Sequence, residues 1–255
     1  MAAPRLYKTE GIVLRRSDMG EADLLLTLYT PFYGKLRAVA RGARRPNSKM
    51  AGHVDFLARS LFLLARGQNL DTVSQAECVE PFAALRDDLE AVGRALYMAE
   101  ILDRFTPDGA ENRPLYELLV ETLRRLPAGG DMAVRFFEVQ TLVFSGFRPD
   151  LHTCVECSDA VAPGHHLFSA SGGGVLCPRC KDQEPVVRPL SLNALKVLRL
   201  LDRGGYAEAS RLRVSADLAG EVEQALRQYI WYLLEREVKA ISFMDRVRRG
   251  EPDPA

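Results

Sequence analysis

No run of about 18 apolar residues occurs anywhere in this 255-residue chain, and its start has no apolar leader segment. A membrane span and a secretory signal are therefore not expected, and the chain reads as soluble and cytoplasmic. Histidine occurs only four times, so imidazole chemistry is thinly supplied. A Gly-x-x-x-x-Gly-Lys-Ser/Thr phosphate loop is missing, and Gly172-Gly173-Gly174 lacks the lysine and helix that would make it one. Acidic pairs such as Asp87-Asp88 stand at helix starts, where they offset the macrodipole. No nucleophile, base and orienting group come together. These absences point to a binding protein and not to an enzyme.

Cysteine is also sparse, but four of the five are arranged in two Cys-x-x-Cys pairs, Cys154/Cys157 and Cys177/Cys180. A tight turn lets two thiolates three positions apart face one centre, and the second pair completes four sulfurs around it. Such a site suits Zn²⁺, with Zn–S of about 2.3 Å, and leaves no position for a reactive water. The expected role is structural; an iron–sulfur centre is the less favoured occupant. Cys78, in a strand-like stretch, is expected to be a small buried apolar residue. His152, His165 and His166 fall in the same segment, but with four sulfurs available they are expected to be ordinary loop residues. His53 is expected at a strand start.

The formal net charge is zero, yet it is unevenly spread. Residues 1–60 contain eleven Lys/Arg and five acids, a net of +6, whereas residues 81–150 contain eight and twelve, a net of −4. The concentration is greatest in Lys35–Lys49, where Lys35, Arg37, Arg41, Arg44, Arg45 and Lys49 occur without an acid. In an extended strand Lys35, Arg37 and Arg41 share one face, while Leu36, Ala38 and Ala40 take the other. A cationic strand running into a flexible basic loop is the pattern that tracks a nucleic-acid backbone. Tyr29, Phe32 and Tyr33 precede it and are candidate stacking faces, although core or turn packing is the commoner use of such residues.

The first eighty residues read as five short strands, Tyr7–Arg16, Ala22–Thr30, Lys35–Arg41, Val54–Ala65 and Thr72–Val79, separated by Gly-, Pro- and Asn-containing breaks. Five strands suggest a small barrel, most simply an oligonucleotide-binding (OB) fold, with an SH3-like barrel as the alternative. From Pro81 the period becomes helical. Residues 82–104 predict one or two helices. Asn112 and Asp131 cap two more, and Ser191 caps another that is stopped at Gly204-Gly205. A long amphipathic helix is expected over Asp217–Val238. The segment around the cysteines is rich in Gly, Pro and Ser and needs a metal to hold its shape. The expected class is an α+β multidomain chain: an OB-fold DNA-binding barrel over 1–80, a helical domain over 81–150 and 186–250, and a zinc-binding insert over 151–185.

Gly11-Ile12-Val13-Leu14, Gly20-Glu21-Ala22-Asp23-Leu24-Leu25, Gly34-Lys35-Leu36 and Ala40-Arg41-Gly42-Ala43-Arg44-Arg45, in this order and spacing, resemble the N-terminal part of the RecO family of bacterial recombination-repair proteins. The likeness continues through the helical middle and the four-cysteine insert. It implies a non-catalytic mediator, acting at the bacterial nucleoid, that binds single- and double-stranded DNA and anneals complementary strands. With its partner RecR, such a protein helps load RecA recombinase onto DNA coated by single-strand-binding protein. Carried over to this sequence, DNA contacts fall on Lys35, Arg37, Arg41, Arg44, Arg45 and Lys49, with Arg15 and Arg16 as further candidates. Structural zinc falls on Cys154, Cys157, Cys177 and Cys180. A zinc-ribbon factor of transcription or translation, binding RNA or protein, is the competing reading.

Overall fold

The structure, a computed structural model, describes residues 5–128, 131–180 and 187–234. The chain divides into two compact units, Met1–Pro127 and Ala128–Ala255.

In the first unit, β1 (Leu6–Met19), β2 (Asp23–Thr30), β3 (Gly34–Ala40), β4 (Arg59–Ala65) and β5 (Asp71–Glu80) close a barrel in the order β1-β2-β3-β5-β4. β1 is long enough to pair twice. Its first half, Leu6–Ile12, runs antiparallel to β4, and its second half, Ile12–Met19, runs antiparallel to β2. A register shift between Val13 and Arg15 marks the bend. Alternation then sorts the side chains. Leu24, Leu26, Leu28, Ala38, Ala40, Phe62 and Leu64 form the interior, as period-2 strands with one apolar face require. This is the expected five-stranded OB-type barrel.

One strand is shorter than expected. Val54–Ala58 is not extended: Ala51–His53 forms a 3₁₀ turn, Leu57 has φ of 61°, and β4 begins only at Arg59. The bend in β1 explains it. Val13 accepts from the Leu57 N–H at 2.9 Å and donates to the Ala58 carbonyl at 3.2 Å, so this segment bonds the bend and not a neighbouring ladder. His53 lies in the turn, where its Nδ1 accepts from the Cys78 N–H at 3.1 Å; Cys78 itself is half-buried.

Three helices complete this unit: α1 (Ala83–Arg86), α2 (Leu89–Phe105) and α3 (Arg113–Arg125). Asp88 caps α2 through the N–H groups of Glu90 and Ala91, and Asn112 caps α3 through that of Leu115, with Pro114 in the first turn. α3 is tied to the barrel. The Tyr116 hydroxyl donates to Glu10 at 2.6 Å, its ring lies 6.4 Å from that of fully buried Tyr29, and Arg124 reaches Glu80 at 2.8 Å. The boundary expected at residue 80 separates strand from helix, but the compact unit extends to Pro127 because these contacts weld α3 to β1, β2 and β5.

The second unit contains α4 (Asp131–Phe144), β6 (His166–Ser169), β7 (Gly174–Leu176), β8 (Val187–Leu190), α5 (Leu192–Arg203), α6 (Tyr206–Arg211) and α7 (Ala216–Leu234). In the small sheet, ordered β7-β6-β8, strands β6 and β7 lie in the segment expected to have little regular structure, and α6 is a short helix between the one stopped at Gly204-Gly205 and the long last one. Residues 235–238 of the expected last helix lie outside the described residues. The cysteine segment is not set apart from its helices: Phe168 meets Tyr229 of α7 edge-to-face at 5.7 Å, and the Tyr229 hydroxyl donates to the Phe147 carbonyl at 3.1 Å. An aromatic core supports this sheet, so the insert shares one compact unit with α4–α7.

Candidate nucleic-acid interface and metal centre

Arg15 and Arg37 lie on the outer face of β1-β2-β3, and the other basic residues lie on β1 and β3 or in the loop after β3. Arg15 is opposite Thr27, and Thr27 is opposite Arg37, which places both arginines in one row across three strands. Their inward neighbours are the buried Leu26, Leu28 and Ala38, so the row faces outward by strand alternation. Beyond β3 the chain turns at Gly42, whose φ of 65° suits a residue without a side chain and whose N–H donates to the Asp23 carboxylate at 2.7 Å. Buried Ala43 anchors the loop that follows. Hydrogen bonds from Arg44 N–H to Ala22, Arg45 N–H to Gly42 and Ser48 N–H to Arg45 then build consecutive turns. The basic loop is thus built of consecutive hydrogen-bonded turns.

The eight cations divide into two groups by their surroundings. Arg16 pairs with Asp55 at 2.5 Å, Arg44 with Asp18 at 3.1 Å, and Arg37 with Asp108 at 3.5 Å. Lys35 is the most enclosed, 13% exposed, with its ammonium 3.0 Å from the Asp103 carboxylate and donating to the Asp103 carbonyl. Arg15, Arg41, Arg45 and Lys49 are exposed and make no ion pair with a described carboxylate. The four carboxylates carry no local sequence signal. They reach the basic face from β1, from the β3–β4 connection, from α2 and from the segment after it, up to 73 positions away.

The aromatic residues separate as well. Tyr29 is core. Tyr33 is half-buried, 4.7 Å from the ring of Tyr7, with the Arg66 guanidinium over both rings. Phe32 alone of the three is largely exposed, with the Arg113 guanidinium 5.8 Å from its ring.

The four cysteines converge in the second unit. Their Sγ atoms lie within 4.8 Å of one another, and Cys157 and Cys177 are 3.9 Å apart. Four thiolates at about 2.3 Å from a central zinc would be about 3.8 Å from each other. Backbone geometry prepares them. The Cys177 N–H points to Cys154 Sγ at 3.4 Å, Ser158 takes φ of 62° to close the first knuckle, and a 3₁₀ turn over Pro178–Cys180 forms the second. Burial raises the Cys154 thiol, but the N–H groups of Cys157, Cys177 and Glu156 outweigh it and bring the thiol down to about 6. Cys180 is pushed up to about 12 by desolvation and by its sulfur neighbours. Four sulfurs this close cannot all ionise unless a cation shares their charge, so the donor set fits a metal. His166 turns away, 2.6 Å from the Ala162 carbonyl, and neither His152 nor His165 belongs to the group.

A closed OB-type barrel followed by helices around a four-sulfur centre matches two family models in tandem. "Recombination protein O N terminal" covers residues 1–82, and "Recombination protein O C terminal" covers residues 86–240. The chain belongs to the RecO family. It is 40% identical over 247 residues to the DNA repair protein RecO of Roseiflexus sp. (strain RS-1), spanning 96% of this chain and 87% of that protein. The corresponding protein of Pelotomaculum thermopropionicum is 42% identical over 246 residues, covering 95% and 94%. That of Dehalococcoides mccartyi (strain BAV1) is 33% identical over 253 residues, covering 98% and all of the relative. A role in DNA repair follows for the RecO family member described here. Among its described residues no helix is long and apolar enough to cross a membrane.

Proposed function

We propose that this RecO family member is a recombination mediator that grips the sugar-phosphate backbone of single- and double-stranded DNA on the outer face of its barrel. The observation that carries this reading is the set of four exposed cations, Arg15, Arg41, Arg45 and Lys49, with no described carboxylate on them. Phosphates release condensed counterions when they meet such groups, which provides affinity without sequence preference. A surface that neutralises two strands also lowers their mutual repulsion, so complementary strands anneal with no chemical step. The protein acts by binding and not by catalysis. With RecR it opens DNA covered by single-strand-binding protein to RecA, at the cytoplasmic nucleoid. Zinc at Cys154, Cys157, Cys177 and Cys180 holds the second unit in shape and takes no part in the annealing.

The test is a titration of labelled single- and double-stranded oligonucleotides at several salt concentrations, followed by annealing of complementary strands and RecA loading with RecR and single-strand-binding protein present. Binding that weakens steeply with salt, with annealing that needs no nucleotide, supports the reading. Preference for structured RNA over DNA would favour the competing zinc-ribbon factor instead.

A further inference from the structure

The first half of β3 is left uncovered by β5, which pairs with β3 only at Ala38 and Val39. A segment after α2 covers it. Asp108 bridges to Lys35, the Gly109 N–H donates to the Lys35 carbonyl at 2.8 Å, and a Cβ at Gly34 would fall 2.1 Å from the Ala110 carbonyl oxygen. These backbone contacts hold Asp108 beside the basic row whether or not its side chain is engaged. Its carboxylate spans two cations, with Oδ1 3.6 Å from Lys35 Nζ and Oδ2 3.5 Å from the Arg37 guanidinium.

Lys35 does not depend on this contact, because Asp103 holds it more closely through both carboxylate and carbonyl. Arg37 does: Asp108 is its ion-pair partner, and the two side chains are 57% and 53% exposed. Ion pairs of that length and exposure exchange readily in water. A carboxylate bridging an arginine and a lysine resembles a phosphate in charge and in the geometry of its oxygens.

We propose that Asp108 is an internal stand-in for phosphate, occupying Arg37 in the free protein and yielding it to nucleic acid, and that it thereby sets how tightly the barrel holds polyanions. The inference rests on the DNA-binding reading above. Arg37 then joins Arg15 in its row only when a phosphate displaces Asp108.

The experiment compares the full chain with Asp108→Asn, and with Asp108→Ser as a second variant, by fluorescence anisotropy on a single-stranded oligonucleotide at 50–300 mM salt. With Asp108 neutralised, Arg37 is free to meet a phosphate, and one such attraction at about 4 Å in water should tighten binding about fivefold at the low-salt end. One newly available cation should steepen the log–log salt dependence by about 0.7. Arg37→Gln in the Asp108→Asn background should cancel both gains, as expected when two residues act on one contact. Unchanged or weaker binding by variants that melt like the parent overturns the proposal, as does a gain that survives Arg37→Gln. If the parent chain itself shows no salt-dependent binding, the underlying DNA reading falls together with it, a failure visible before any variant is measured.

Discussion

Lys35 and Asp103 pair at 3.0 Å across 68 positions of sequence, on the side of β3 where α2 ends. The pairing draws Lys35 out of solvent, while Arg41, six residues further on, stays exposed. One run of cations therefore serves two purposes: its first member fastens helix to barrel, and its later members face outward.

Replacing Arg41, Arg45 and Lys49 by Gln should weaken binding to every DNA sequence alike and flatten the log–log salt slope by about 2, from three lost phosphate contacts. Lys35→Ala should act differently. It leaves Asp103 without its closest cation and should cost about 1–3 kcal/mol of stability. Urea unfolding beside anisotropy titrations separates the two effects.

Removing metal should act on the second unit. Chelation, or Cys154→Ser, should lower the melting temperature by about 5 °C or more, because the site's binding energy is folding energy. Metal analysis should return one zinc per chain before chelation and none after. An unchanged melting curve in a chain that never contained metal would remove the zinc assignment.

Acid should loosen the first unit. Burial raises the Glu10 carboxyl, but hydrogen bonds from Arg59 and Tyr116 outweigh it and leave it below its usual range; Arg124 and Arg59 lower Glu80 similarly. A carboxylate with a lower pKa in the folded than in the unfolded chain adds stability above the unfolded value of about 4.3. That contribution fades as pH falls through the folded value. Chemical denaturation between pH 7 and pH 3 should show the loss below about pH 4.5, and Glu10→Gln should reduce its size.

Arg135 is 2% exposed in the second unit, 3.2 Å from fully buried Glu138 and 3.8 Å from Glu223. Arg135→Met removes one side of a buried charge network and should destabilise the protein by about 3–5 kcal/mol. Combining it with Glu138→Leu should recover part of that loss, since the second change removes a charge the first leaves uncompensated. Urea midpoints of the single and double variants give the comparison.

Period and punctuation carried the readable part of this protein. Ala22–Thr30, set between turn-forming breaks, marked a strand, and Asn112 before Arg113-Pro114 marked a helix start, because each signal is completed within a few residues. Cys154, Cys157, Cys177 and Cys180 were equally legible, since two knuckles leave thiolates little else to do than meet. The short β4 was not: the positive φ of Leu57 answers to a bend at Val13, more than forty positions earlier.

The cationic character of residues 35–49 is a property of the chain alone, present in any conformation because it depends only on which side chains occur. How many of those charges remain open to a partner is a matter of folding. Asp18, Asp55, Asp103 and Asp108 reach Arg44, Arg16, Lys35 and Arg37 through β-pairing and helix packing, and charge–charge energy depends on distance in space, which separation along the chain does not set.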